Sequence, residues 1–443
     1  MGPARPRRAP SPPPELPLLL LVHDQGSAAP MRVLAAARGL CRVVLLCEQG
    51  DPELAAGLRS VAGHADIVDL TGLDDESVCR LAAGLSPAGV VTFSERRLRL
   101  TALVAAACRL PFHRPETVDA LTDKFEQRRI LRNGGVQDTR CALVRDPAGL
   151  AGALALVGLP AVLKPRFGAG SVDTCLVRSE RECGSRLTEF TEGGDPAGQR
   201  EFVLEEYLHG DPDGAGHGLG DYVSVESVVV DGEPRTVAVT GKPPLVPPFR
   251  ETGHILPAPL APPLAADVIG LEQRAIRALG VWHGVTHTEV KLTPDGPRII
   301  EVNGRLGGHV AEIVQRGLGY DLVAAALCGA LGLPVAEPRP APCEPASQRH
   351  GRVAFQYMLV PPADARGAVR PAELVEELAG LPGVDLVDVP GTDGRPAHWR
   401  AGTAGALGIV YGSAHDHTAL RALLDQLQVK MAAFWLKPSA EPV

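Results

Sequence analysis

The stretch from His287 to Arg305 admits few folds. Two alternating runs rich in β-branched residues, His287–Leu292 and Arg298–Val302, flank Thr293-Pro294-Asp295-Gly296-Pro297, which is a strong β-hairpin signal. With the turn centred on Asp295, residues whose numbers sum to 590 face each other, and this sets Glu289 opposite Glu301. Side chains alternate faces along a strand, so Glu289, Glu301, Asn303 and Arg305 can share one surface. Like charges placed opposite each other in a sheet repel. A hard cation between them would remove that penalty, and two carboxylates with an amide oxygen suit Mg²⁺. A solvated acidic hairpin face is the bland alternative for this segment taken alone.

The rest of the chain bounds the choice. Its 443 residues allow two or three domains with ample core. Net charge is −8, and no dense Lys/Arg run follows the first eight residues, which argues against nucleic-acid binding. The nine cysteines are scattered without a C-x-x-C pair. They read as reduced thiols of a cytoplasmic protein, with neither a disulfide framework nor a zinc site. No apolar run approaches the ~20 residues of a membrane span. Arg5, Arg7 and Arg8 precede an apolar run, Leu18–Val22, too short for a signal peptide, so a first strand behind a disordered Pro-rich leader (1–14) is expected.

Strands at Leu18–Val22, Arg42–Leu46 and Val90–Phe93 alternate with helices at Pro30–Leu40, Glu53–Gly63 and Ser94–Arg109, the pattern of a parallel α/β sheet. No G-x-G-x-x-G follows the first strand, so no dinucleotide site is expected there. A helix carries Leu121 to Arg129, and a buried strand, Ala161–Pro165, precedes the loop Phe167 to Ser171. Glu201–Leu208 reads as a strand, and Tyr222–Val230 and Arg235–Thr240 pair around Asp231-Gly232. Ala265–Leu279 is an amphipathic helix, and one helix is expected from about His309 to Leu331. Five prolines between Pro334 and Pro345 mark a linker, after which a β-α-β-β-α module closes the chain.

Several residues along this frame carry chemistry. Lys124 and Lys164, on different elements, flank Gly168-Ala169-Gly170-Ser171; lysines and glycine-rich backbone suit phosphate, although each alone reads as an ordinary solvated residue or turn. The loop is not a Walker A. Glu205-Glu206-Tyr207-Leu208 ends a strand whose backbone could read an adenine edge, or could be a solvated strand edge. Asn303-Gly304-Arg305-Leu306-Gly307-Gly308 sets an arginine beside the carboxylate pair, where it can stabilise developing charge. Lys242, Arg250, Glu251 and His254 lie on a Pro-rich loop that lines a pocket or is simply solvated. His415 and His417 have metal-pair spacing without a nearby third ligand, and surface positions are expected for both.

In this order the elements resemble the ATP-grasp superfamily. Glu-x₁₁-Glu-x-Asn-x-Arg is the most specific piece, and the likeness covers roughly residues 18–433. Glu251-Thr252-Gly253-His254 and Arg305-Leu306-Gly307-Gly308 narrow it to the carboxylate–amine ligase branch, similar to L-amino-acid ligases and carnosine synthase-like enzymes. The resemblance implies an α/β fold, α+β in its catalytic part. Its parts would be an N-terminal parallel Rossmann-like domain (15–115), a two-lobed ATP-grasp region (116–333, lid lobe about 145–208), a linker (334–345) and a C-terminal α+β module (346–437).

It also implies roles. Lys124 and Lys164 would bind ATP phosphates under a lid of Gly168, Gly170 and Ser171, while Glu205, Glu206 and Leu208 would meet the adenine. Glu289, Glu301 and Asn303 would hold Mg²⁺, or Mn²⁺ in its place. A substrate carboxylate would become an acyl-phosphate, with ADP released, and an amine would displace phosphate. Arg305 would steady the charge with Gly307 and Gly308 nearby, His254 would orient a carboxylate or take a proton, and His309 would help choose the second substrate. Asp173 departs from the family's lid and would set a negative charge near the phosphates. The expected partners are small molecules, an amino acid or other carboxylate plus an amine, with a homodimer compatible and no nucleic acid or membrane. Two other readings stand beside this one: a biotin-carboxylase-like reaction, faintly suggested by Val429-Lys430-Met431, and a non-catalytic ATP-binding regulator.

Overall fold

The computed structural model describes residues 16–192, 200–338 apart from 212 and 217, 352–361, 371–389 and 399–436. The expected leader (1–14) and most of the Pro-rich linker lie outside them, as does the start of the C-terminal module.

Four strands, β1 (Leu18–Val22), β2 (Arg42–Cys47), β3 (Asp66–Asp69) and β4 (Gly89–Val91), form a parallel sheet in the order β3-β2-β1-β4. β1 is buried along its whole length, with Leu19 and Leu21 in one core and Leu18, Leu20 and Val22 in another, as a sheet covered by helices on both faces requires. The short strand β3 and the helix Asp75–Gly84 were not evident from periodicity.

A small lobe follows, built on the antiparallel sheet β5-β8-β6-β7. Its strands are β5 (Cys141–Val144), β6 (Ala161–Pro165), β7 (Cys175–Val177) and β8 (Phe202–Glu206). Helices Leu150–Val157 and Glu180–Glu192 cover it, and Phe190 stacks on Phe202 at a ring separation of 5.8 Å.

The remaining strands make one eight-stranded antiparallel sheet, β13-β12-β9-β10-β11-β14-β16-β15. They are β9 (Tyr222–Val230), β10 (Glu233–Gly241), β11 (Gly253–Leu256), β12 (Gly284–Thr293), β13 (Gly296–Asn303), β14 (Val353–Met358), β15 (Val384–Asp388) and β16 (Ile409–Ala414). The strands after the linker thus extend the sheet that carries the hairpin. On one face lies helix Pro262–Leu279, whose stripe Ala265, Leu271, Ala275, Ile276 and Leu279 is buried as its spacing predicts. Gly280, left-handed at φ +71°, closes it with its N–H on the carbonyls of Ile276 and Arg277. On the other face, helices Val310–Leu318 and Leu322–Ala330 share a core with the N-terminal sheet.

Two expected single helices are each broken in two. The segment around Leu121–Arg129 forms Pro115–Thr122 and Lys124–Asn133, because the Asp123 carboxylate accepts from the Phe125 N–H and so starts a new helix. The stretch from His309 to Leu331 is interrupted at Gly319, left-handed at φ +67°, and restarts on the Asp321 cap. Val429-Lys430-Met431 lies within helix His417–Leu436. Among the described residues, no helix is long and apolar enough to cross a membrane.

Candidate active site

Glu289 on β12 and Glu301 on β13 are direct cross-strand partners. Glu301 Oε1 lies 3.2 Å from Lys124 Nζ, and Glu289 Oε1 lies 3.6 Å from His287 Nε2. Asn303 Oδ1 accepts from Arg305 at 3.2 Å. Burial raises the Glu301 carboxyl, but Lys124 and Lys164 outweigh it and hold the group ionised, below its ordinary range. Among the described residues, no cluster of three or more His, Cys, Asp or Glu could cage a metal by itself. Two carboxylates and an amide oxygen are instead the incomplete, all-oxygen set that Mg²⁺ completes with water and phosphate. The donors fit the ion.

Lys124 opens its helix and also donates to the Gly168 carbonyl. Lys164 on β6 reaches Glu205 Oε2 at 2.9 Å. Arg128, one helical turn after Lys124, grips the same carboxylate with Nε on Oε1 and Nη2 on Oε2, both at 3.0 Å. Burial would raise the Glu205 carboxyl, yet Arg128 and Lys164 pull it down to about 2. Both Glu205 oxygens therefore face cations. Glu206 pairs with Arg140 and Arg298, and Leu208 follows β8, half-buried.

The Gly168–Ser171 loop uses left-handed backbone at Gly168, Gly170 and Ser171. A segment from the far end of the chain, Trp399–Gly405, holds it down. Thr403 N–H donates to the Gly170 carbonyl at 2.9 Å, and a Cβ on Gly402 would stand 1.9 Å from that same oxygen. Asp173 is buried between Arg400 Nε at 2.6 Å and Arg200 Nη1 at 2.8 Å. The negative charge expected near the phosphates is thus neutralised by two arginines and serves to fasten the loop.

Beyond Asn303, Arg305 reaches Glu95 of the N-terminal domain at 3.1 Å. Gly307 packs so tightly that a Cβ would stand 2.5 Å from His287 Nδ1, whereas one on Gly308 would meet open space. Lys242 is fully buried and paired with Glu251 at 2.9 Å. His287 sits 2.8 Å from the buried Glu226; burial works against its charged form, but Glu226 prevails and raises it to about 9. His254 is buried with no partner on Nδ1 among the described residues, and burial, then Lys242 and His287, push it well below the usual imidazole range. His309 Nδ1 meets the Tyr411 hydroxyl at 3.1 Å.

An ATP-grasp domain model matches residues 157–312, a span that runs from β6 through the lid and the hairpin to just past Arg305. Carnosine synthase 1 of Gallus gallus is 31% identical over 404 residues, covering 82% of this chain and 41% of its own length. Alanine–anticapsin ligase of Bacillus subtilis is 28% identical over 211 residues, 45% of this chain and 44% of that one. The crystal structure of L-amino acid ligase from Bacillus licheniformis superposes with a TM-score of 0.73 over 94% of this chain and 98% of that one, at 21% identity. Residues 157–312 of this chain are an ATP-grasp domain, and the relatives it is similar to are named as ligases or synthases. The chain spans about two fifths of the length of the carnosine synthase it matches.

In this site Lys124 links Glu301 to Gly168, Arg305 links Asn303 to Glu95, and Arg128 ties Glu205 to the β13 backbone at Ile299 and Ile300, with Lys164 on the same carboxylate. Three residues with no role assigned from sequence belong to the assembly. Arg128 lies four positions after Lys124 on one helix face, a spacing that could have found it. Glu226 is a lone charge inside the apolar run of β9, which is itself a signal. Glu95 carries no local signal. Arg250 does not line the site: it donates to the carbonyls of Pro247 and Pro361 and braces the loop. His415 is a surface residue as expected, but His417 is buried, with Nε2 2.8 Å from the Pro257 carbonyl, so the surface reading fails for it.

Proposed function

We propose that this ATP-grasp protein is an ADP-forming ligase that joins two amino acids through an acyl-phosphate. The observation that carries the reading is the line Lys124–Glu301–Glu289 and Asn303–Arg305, which sets phosphate-binding cations and metal-binding oxygens directly beside an arginine suited to acyl transfer. Lys124 and Lys164 take the phosphates, and Gly168, Gly170 and Ser171 cover them. The backbones at Glu206 and Leu208 meet the adenine. Glu205 Oε1, which accepts from Arg128 Nε, keeps acceptor capacity for the adenine amine. Glu289, Glu301 and Asn303 hold Mg²⁺, or Mn²⁺, which would neutralise charge on the β- and γ-phosphates.

The substrate carboxylate attacks the γ-phosphorus and breaks its bond to the β-phosphate oxygen, releasing ADP. The amine of the second substrate then attacks the acyl carbon, phosphate leaves with the C–O electron pair, and the nitrogen loses a proton. Arg305 stabilises the oxyanion of that step with Gly307 and Gly308 beside it. His254, held neutral by burial, is a weak base and serves better to position a substrate than to take its proton. His309, facing Tyr411, borders the second-substrate side.

The test is to incubate the protein with ATP, Mg²⁺ and amino acids in pairs. ADP, phosphate and a mass equal to the condensed pair are expected; release of AMP and pyrophosphate would overturn the mechanism.

A further inference from the structure

A row of polar side chains crosses six strands of the large sheet on the face that carries Glu289. Register pairs Lys291 of β12 with Tyr222 of β9, and Lys242, just past β10, stands over the Tyr222 ring with Nζ 5.6 Å from its centroid. His254 of β11 pairs with Gln356 of β14, which pairs with Tyr411 of β16. All six are buried.

Half of the row is internally satisfied: Lys291 by Asp221 at 2.6 Å, Lys242 by Glu251 and Tyr411 by His309. The other half is open. Among the described residues, the Tyr222 hydroxyl, His254 Nδ1 and both amide atoms of Gln356 have no hydrogen-bond partner. Folded proteins leave few buried polar atoms in that state, because each lost partner is destabilising. An amide with both poles open at 0% exposure is therefore shaped for something it binds.

Helix Val310–Leu318 lies over this face. Gly317 packs against Leu256 and Ala354, and His309 at the other end reaches Tyr411, which places the helix start at the Gln356 end of the row. Free N–H groups of a helix start favour a carboxylate. The Gln356 NH₂ can donate to that carboxylate while its carbonyl accepts from an ammonium. β14 is four strands from β12, and His254 stands between them, its ring 6.0 Å from that of His287, so Gln356 borders the site from the side opposite the metal pair.

We propose that Gln356 is a specificity residue for the acceptor amino acid, contributed by the strands after the linker and reading its ammonium and carboxylate groups. This rests on the ligase reading above. The experiment compares the wild-type chain with Gln356→Leu, of similar volume, and Gln356→Asn. With an active amino-acid pair, Gln356→Leu should raise KM for the acceptor about 10- to 100-fold, the effect of one or two lost hydrogen bonds, and leave KM for ATP and for the carboxylate donor within about twofold. Gln356→Asn should recover part of the loss. Binding of each common L-amino acid alone, followed by melting temperature in the presence of a non-hydrolysable ATP analogue, separates this proposal from the reaction. Gln356→Leu should melt at or above wild type without amino acid and lose the amino-acid-induced rise. A retained rise, or an equal increase in all three KM values, would overturn the proposal. A wild type that shows the rise but condenses no pair would instead sink the ligase reading and leave the Gln356 contact standing.

Discussion

Glu289 and Glu301 meet only because β13 carries one residue more than β12 at this point. Near the turn, Thr293 pairs with Gly296 and Val290 with Ile299; then Ile300 is passed over and Glu289 pairs with Glu301. This bulge, a common device beside active sites, re-aims the strand's side chains. Two carboxylates across one pair repel; Lys124 at 3.2 Å offsets this for Glu301, and we propose that a metal ion shared with Glu289 offsets the rest.

If so, Glu289→Gln and Glu301→Gln should each lower ADP formation by at least ~100-fold, the typical loss when one preorganised electrostatic group is removed. MgATP should also cease to raise the melting temperature. Wild-type turnover in either variant would remove the metal assignment.

The Glu205 ion pairs should show in acid. Its carboxyl is held down to about 2 in the folded state against an ordinary value of 4.5, so its contribution is present above 4.5 and fades as pH falls from about 4.5 towards 2. Glu205→Gln would leave Arg128 and Lys164 without their shared anion. Breaking one side of a buried pair costs roughly 3–5 kcal/mol, so denaturant unfolding at pH 7 should show a loss of that order. The loss should shrink as wild type is itself titrated below pH 4. A pH-independent difference would assign the effect to packing.

What was legible in the sequence was what is local. The hairpin pair was reachable because strand alternation and a turn act over a dozen residues, although the turn lies half a position earlier than Asp295 and the bulge makes up the difference. The run of motifs from Lys124 to Arg305 was readable as an order. What escaped depends on chain segments far apart in number: Glu95 on Arg305, Arg400 on Asp173, Gln356 beside His254. Helix breaks at Asp123 and Gly319 were missed because apolar spacing continues across them while the capping geometry does not.

The strap over the lid gives a third expectation. Gly402 sits at φ +58° with Gly170's carbonyl where its Cβ would be. Gly402→Ala should therefore push Trp399–Gly405 off the loop, against strain of order 1–3 kcal/mol. Proteolytic cleavage within 168–173 should quicken and KM for ATP should rise several-fold. Thr403→Ala, which keeps the backbone N–H bond to Gly170, should do much less. Equal behaviour of the two variants would argue that the segment does not restrain the lid.

The last expectation concerns Glu272, on the inner side of helix Pro262–Leu279 and away from the proposed chemistry. It is 0% exposed, and among the described residues neither carboxyl oxygen has a partner at hydrogen-bond distance. Burial pushes its carboxyl up to about 8, with Glu226 adding to the shift while the Ser227 hydroxyl and Arg277 pull the other way. A raised folded value means the group is neutral inside the protein but ionised in the unfolded chain above about pH 4.5. Stability is then fully present below that pH and is lost as pH climbs towards 8, by something on the order of 3 kcal/mol at pH 7. Glu272→Met keeps the volume and removes the titration. The variant should be close to wild type at pH 4.5 and more stable by a margin that widens up to pH 8, measured by urea unfolding across that range. A constant margin would mean that the carboxyl is already satisfied where it lies, and that the helix carries it at no pH-dependent cost.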